Sequence, residues 1–342
     1  MTTTTTGPEV SVTGSPAAAV TVEPAPQSGR AARRHAQEQD PSTRRRFRLR
    51  RRPRSRPVRT DAQRARARGV AMSLSIVALL CLTFVATVSV LGALKEHRDQ
   101  KTAYDSFRYE LANGTAAVGQ TDENGVLLEP GTSVAVLTIP AMGIDSIVLE
   151  GTTSGVLQSG PGHRRDTVLP GQPGVSVIYG RQAAFGGPFA KIATLAPGTE
   201  LKVVTGQGES TYRIVDVRRA GQPVPVLQAK GRLVLVTADG RPYLPTGVVA
   251  VDADLVSEAF PANPRVITAA ALAPAEQPLQ GDPAAWIGVL LWAQALLIAG
   301  VALVWCWVRW GRWETWLVGV PVVLALGVAA SAQAAQLLPN LM

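Results

Sequence analysis

The sequence predicts a mainly β domain of the sandwich or barrel class, held outside a membrane by three apolar helices and preceded by a disordered tail. Three observations lead to it. Short Val-rich runs recur between residues 134 and 251, separated by Gly- and Pro-containing turns, the pattern of an all-β domain. Stretches of 26, 26 and 28 residues, at 69–94, 283–308 and 315–342, carry no charge. Charge is also segregated: residues 1–68 hold 16 of the 34 Lys and Arg residues beside five acids, so the tail is +11 in a chain of net charge +9.

In chain order, the tail opens with a Thr run at 2–6, passes through Pro/Ala/Ser-rich sequence and ends in an arginine-rich stretch, 44–68. It has almost no large apolar residues to offset its ordering entropy, so 1–68 is expected to be disordered. The run 69–94, bounded by Arg68 and Lys95, would span ~39 Å as a helix, enough to cross a hydrocarbon core of ~30 Å. A cleaved signal peptide is the alternative, but the run is longer than a signal's apolar region and no small-x-small site follows it. The positive-inside rule keeps the Arg-rich tail in the cytoplasm. Residues 95–131 read as a stalk helix, to about Leu111, and a polar linker; 132–260 as the β domain; 261–282 as a second linker. Two further spans, 283–308 and 316–338, flank a joint at 309–315. Trp305, Trp307, Trp310, Trp313 and Trp316 surround this joint, as tryptophan does at a membrane interface. Two crossings after the first helix, the joint with Arg309 and Arg312 returns to the cytoplasm. The segment 95–282, with 16 basic and 19 acidic residues, is then extracytoplasmic and the chain belongs in the plasma membrane.

Composition narrows the chemistry. Two cysteines, Cys81 and Cys306, exclude a disulfide-stapled scaffold and a four-thiolate zinc site, and three histidines argue against a His-rich metal centre. No cofactor or metal is expected. The tail's charge describes membrane orientation better than nucleic-acid affinity, and no specific nucleic-acid partner is expected. An anionic-lipid contact by 44–68, from Arg44 to Arg68, remains beside that topogenic reading.

The strand candidates are 134–139, 146–149, 175–179, 201–205, 212–217, 233–237 and 248–251. Leu233-Val234-Leu235-Val236 is apolar on both faces, as a central buried strand is. The order of motifs here resembles a sortase, most closely the class E type of high-GC Gram-positive bacteria. Ile139-Pro140-Ala141-Met142-Gly143-Ile144 and Val148-Leu149-Glu150-Gly151-Thr152 resemble the family's opening strands. Gly160-Pro161-Gly162-His163 and Leu169-Pro170-Gly171-Gln172-Pro173-Gly174 resemble its next stretch. Val177-Ile178-Tyr179-Gly180 resembles the segment with the catalytic histidine, and Leu233-Val234-Leu235-Val236-Thr237 the strand that delivers the catalytic cysteine. The likeness covers about 134–256 and implies a closed, sortase-like β-barrel.

Sortases join a sorting-signal peptide to an amine through a thioacyl intermediate, which requires a thiolate, a histidine for proton transfer and an arginine for the developing charge. On this resemblance the three positions are vacant. The histidine position holds Arg181, the cysteine position holds Ala238, and the arginine position falls near Thr246 or Gly247. The cysteines lie in membrane spans, where they read as small buried apolar residues. Thr237 has a hydroxyl beside the vacant position, but adjacent strand residues face opposite ways and no base is evident. Arg181 reads either as an anion-binding group in the old cleft or as a solvated surface arginine. His163 matches a motif outside the catalytic trio, with a hydrogen-bonded loop histidine as its plainer reading. Asp239 and Arg241 flank Gly240, where a turn explains their types and a binding role is the alternative. A residual groove would thus draw on Arg181, Thr237, Ala238, Asp239, Arg241 and His163.

The expected function is that of a pseudo-sortase, a binding or assembly module beside an active sortase or a surface protein with a sorting signal. The alternative is a cysteine-independent transpeptidase or hydrolase acting on such signals.

Overall fold

The structure, a computed structural model, describes residues 61–122 and 124–342. The disordered reading of 1–68, and the lipid contact assigned to 44–68, lie up to residue 60 outside the described residues. From Asp61 onward the chain is helical: α1 (Asp61–Ala86), a π-turn (Thr87–Leu91) and α2 (Gly92–Asn113) follow one another without a break. The helix thus begins ahead of the apolar run, because Ala, Gln and Arg at 61–68 are strong helix formers. It stops at Gly114, whose left-handed backbone (φ 70°) lets its N–H reach the carbonyls of Glu110 and Leu111.

Eight strands form the barrel: β1 (Ser133–Ile139), β2 (Ile144–Glu150), β3 (Gly162–His163), β4 (Gly174–Tyr179), β5 (Glu200–Thr205), β6 (Gly208–Arg219), β7 (Gly231–Arg241) and β8 (Leu244–Leu255). The closed order is β1-β2-β3-β4-β7-β8-β6-β5. The sequence-based strands fall within seven of these. The eighth, β3, has only two residues, bridging β2 in parallel and β4 antiparallel. β4 and β7 also run parallel, Ile178 beside Leu235 and Tyr179 beside Val236.

The period-two alternation sends each strand's apolar residues to two compartments. Ile178, Leu233, Leu235, Val251 and Ala253 join Leu137 and Ile139 in the barrel core. Tyr179, Val234, Val236, Ala238 and Ala250 face outward, yet they too are buried, under Leu157 and Leu341. The run 233–236 is therefore covered on both faces, as its composition requires.

After β8 the chain returns through a linker to α3 (Ala285–Arg309) and α4 (Arg312–Ala334). Three helical segments are long and apolar enough to cross a membrane: Leu74–Asn113, Ala285–Arg309 and Trp313–Leu337. The barrel packs at one end of these helices, through Val88 of the π-turn and Ala335 and Leu338 beyond α4, and the α3–α4 joint lies at the other. Cys81 is exposed on α1 and Cys306 partly exposed on α3. Both lie within the helical segments long and apolar enough to cross a membrane, where the sequence places them.

Candidate active site

β4 and β7, being parallel, deliver their C-terminal ends to the same rim of the barrel. Gly180 N–H donates to Val236 O at 3.0 Å, and the Thr237 hydroxyl donates to Gly180 O at 2.8 Å. This stitching fixes Arg181 just beyond β4 beside Ala238 on β7. β8 completes the rim, with Val248 opposite Ala238 and Gly247 opposite Asp239. Thr246 is exposed at its edge.

Arg181 is fully buried, which removes the solvated-surface reading. Its Nε donates to Leu157 O at 3.0 Å, and its Nη2 donates to both the carbonyl and the hydroxyl of Ser154 at 2.8 Å. The guanidinium carbon lies 5.0 Å from the centre of the Phe185 ring, a cation–π distance. Nη1 has no partner among the described residues. Burial lowers the guanidinium pKa to about 9, so the group is still a cation at neutral pH. The reason for burial is local: the loop 152–155 and the short turn Val156–Gln158 fold over it, supplying the carbonyls that its fork requires.

Ala238 is a methyl in an apolar shell of Tyr179, Val234, Val236, Ala250, Leu157 and Leu341. Thr237 points the other way, its proton committed to the Gly180 carbonyl. A hydroxyl becomes a nucleophile through a base that takes its proton, and this one faces an amide oxygen instead.

The remaining sequence candidates separate. Asp239 and Arg241 do not form the expected turn. β7 runs through both, with a bulge between Asp239 and Gly240 that the positive φ of Gly240 (111°) accommodates. The turn is Pro242-Tyr243 instead, Tyr243 having φ 64°; proline presets the first central position of such a turn. Asp239 Oδ2 pairs with Arg219 Nε at 3.2 Å on the outside. His163 is a strand residue, not a loop one, and belongs to another cluster. Its Nδ1 meets Glu150 Oε2 at 2.8 Å, and its Nε2 meets Val168 O at 2.9 Å. With a carboxylate on one nitrogen and a carbonyl on the other, both nitrogens are placed to donate. Burial opposes the charge, but Glu150's charge and hydrogen bond outweigh it, and the imidazole pKa is raised.

Sequence reasoning missed what closes the site. Leu341 is buried over Ala238's shell, and Gln182 N–H donates to its carbonyl at 2.9 Å. Phe185 N–H donates to Val88 O in the π-turn at 3.2 Å. π-turns free a carbonyl from the α-helical ladder and recur at functional sites. A cavity of about 860 Å³ between 166–175 and 262–269, and one of about 410 Å³ along α2, are lined by none of Arg181, Thr237 or Ala238. Among the described residues, no cluster of three His, Cys, Asp or Glu side chains is placed to hold a metal.

Residues 137–255 match the family profile described as Sortase domain. The chain is 29% identical over 109 residues to Sortase D of Bacillus subtilis (strain 168), an alignment covering 31% of this chain and 54% of that protein. It thus spans about half the length of the curated relative it matches. Among solved structures it is similar to a Clostridium perfringens Sortase D5 transpeptidase, with 22% identity, 47% of this chain and 99% of the other covered, and a TM-score of 0.39. It is also similar to sortase E from Streptomyces avermitilis, with 27% identity, 44% and 100% covered, and a TM-score of 0.33.

Proposed function

The chain carries a sortase-family domain at 137–255, and we propose that here it is a pseudo-sortase: a membrane-anchored binding or assembly module at the cell surface, without transpeptidation. The observation that carries this reading is the pair Arg181 and Ala238. Arginine has no lone pair to accept a proton at neutral pH, and its fork is already bound to Ser154 and Leu157. A methyl at 238 offers nothing to acylate, and Thr237 gives its proton to an amide carbonyl. Those placements also weigh against the alternative of a cysteine-independent transpeptidase or hydrolase, which requires a nucleophile and a base facing each other.

The orientation we propose has the N-terminal tail and the joint at 309–315 in the cytoplasm and the barrel outside. Positive charge gathers in the tail and in the joint, and cations are retained on the cytoplasmic side. An active sortase or a surface protein with a sorting signal is the partner class that fits the domain. The test incubates the purified full chain with a sorting-signal peptide and an amine acceptor and follows products by mass spectrometry. Intact peptide is expected. Turnover that disappears in Thr237→Ala or Arg181→Ala would overturn the proposal.

A further inference from the structure

Beyond α4 the chain makes a short turn (Ala335–Leu337), leaves the helix at Leu338, with φ −75° and ψ 156°, and turns again at 340–341, where Met342 N–H donates to Pro339 O at 3.2 Å. It runs from there directly across the rim that carries Arg181 and Ala238. Gln182 N–H donates to Leu341 O at 2.9 Å and Ala184 N–H to Met342 O at 3.3 Å, while Asn340 N–H donates to Gln280 O at 2.9 Å. The Asn340 side chain is fully buried, and its Nδ2 donates to Thr152 O at 2.8 Å and to Gln277 O at 3.0 Å. The Ser154 hydroxyl, which accepts from Arg181, donates to Leu338 O at 3.3 Å. Leu341 is fully buried against the shell of Ala238.

The segment is held as a bound turn is: main-chain bonds fix the strip, and separate pockets take its two neighbouring side chains. The pockets here are an apolar one for Leu341 and a polar one for Asn340. Pro339 between them and Leu338 has no N–H to satisfy. The loop 152–154 that pins Arg181 also receives Asn340 and Leu338, so the residue in the vacated base position and the strip share one support.

We propose that residues 338–342 are a ligand built into the chain: they occupy the cleft over Ala238 in cis and exclude segments of other chains from it. A competing segment must match an apolar residue, proline, an amide side chain and a second apolar residue, and binds only where the strip has left. This deepens the reading of the cleft as a binding site and rests on it. Amide exchange reports occupancy whether or not peptide is turned over, so the two readings fail separately.

The experiment is hydrogen exchange, followed by mass spectrometry, on the full chain in detergent. It compares the native sequence with Asn340→Ala and with a chain ending at Leu337. The proposal expects amides at 182–184 to exchange at least tenfold faster in both variants, while Ile178 and Leu235 in the barrel stay protected. The free peptide Leu-Leu-Pro-Asn-Leu-Met is expected to restore protection at 182–184 in the shortened chain and to change nothing in the native one. Equal exchange at 182–184 in native and shortened chains overturns the proposal. So does loss of barrel protection in both variants, which makes the strip part of the folding core and not an occupant. If only the shortened chain loses the barrel, Asn340→Ala decides by the same tenfold criterion.

Discussion

Arg181 Nη2 donates to both oxygens of Ser154, carbonyl and hydroxyl, each at 2.8 Å. No carboxylate takes part. A buried cation is held by two carbonyls, one hydroxyl and the face of Phe185, just beyond the end of β4, at the position that we propose corresponds to a sortase's proton-transferring histidine. An unpaired buried charge is costly, so the surrounding dipoles are what keep the side chain inside.

Arg181→Ala strips the Leu157 and Ser154 carbonyls of their donor in a site closed to water. Each orphaned acceptor costs ~1–3 kcal/mol, and we expect a loss of about 3 kcal/mol, partly offset by relief of the buried charge. Thermal unfolding of the purified chain would register this as a Tm lowered by roughly 6–12 °C. Arg181→Lys is expected to lie between the two, because a single ammonium does not reproduce the planar fork. An unchanged Tm in Arg181→Ala would contradict the network's role.

Gly92 lies where the π-turn passes the barrel. A Cβ there would meet Phe185 Cδ1 at 2.7 Å and the Thr87 carbonyl at 2.9 Å. Ala would ordinarily gain ~0.5–1 kcal/mol in a helix. Overpacking costs ~1–3 kcal/mol and should win, so Gly92→Ala is expected to be destabilising. A raised Tm would show that the contact between π-turn and barrel is loose.

His163 gives a pH dependence whose sign is fixed. Its folded pKa is raised above the ordinary value, burial being outweighed by Glu150, so folding favours the protonated form. The stabilisation is full below the unfolded pKa of ~6.5 and is lost as pH rises through the higher folded value. Tm measured from pH 6 to 9 is expected to fall, and His163→Gln to flatten that slope. A slope unchanged in the variant would move the titration to another group.

Ala238→Cys, placed in a chain with Cys81 and Cys306 changed to Ser, restores a sulfur but not its activation. A thiol buried among Tyr179, Val236 and Leu341 has its pKa raised by apolar surroundings. Maleimide labelling at pH 7 is expected to be at least tenfold slower than that of a free thiol. Labelling as fast as a free thiol would mean that the site is open and polarised.

The parts that sequence made legible are those where composition and period agree. Leu233-Val234-Leu235-Val236 signals a strand buried on both faces, and it is one. β3 was not legible, since Gly162-His163 has neither length nor alternation and becomes a strand only by bridging β2 and β4. The burial of Arg181 was hidden because arginine reads as surface, and the carbonyls that hold it are 24 and 27 residues away. The π-turn Thr87–Leu91 has the composition of an ordinary apolar helix. Residues 338–342 belong to a charge-free run that spells only a membrane span, and their seat exists only once the barrel has closed.

The most direct test of the central claim looks for a covalent intermediate. The full chain is incubated with excess sorting-signal peptide, quenched in acid and weighed intact, with the peptide recovered alongside. Our account predicts an unmodified chain mass and uncleaved peptide at every time point. An acyl adduct that maps to a side chain of the barrel would contradict it.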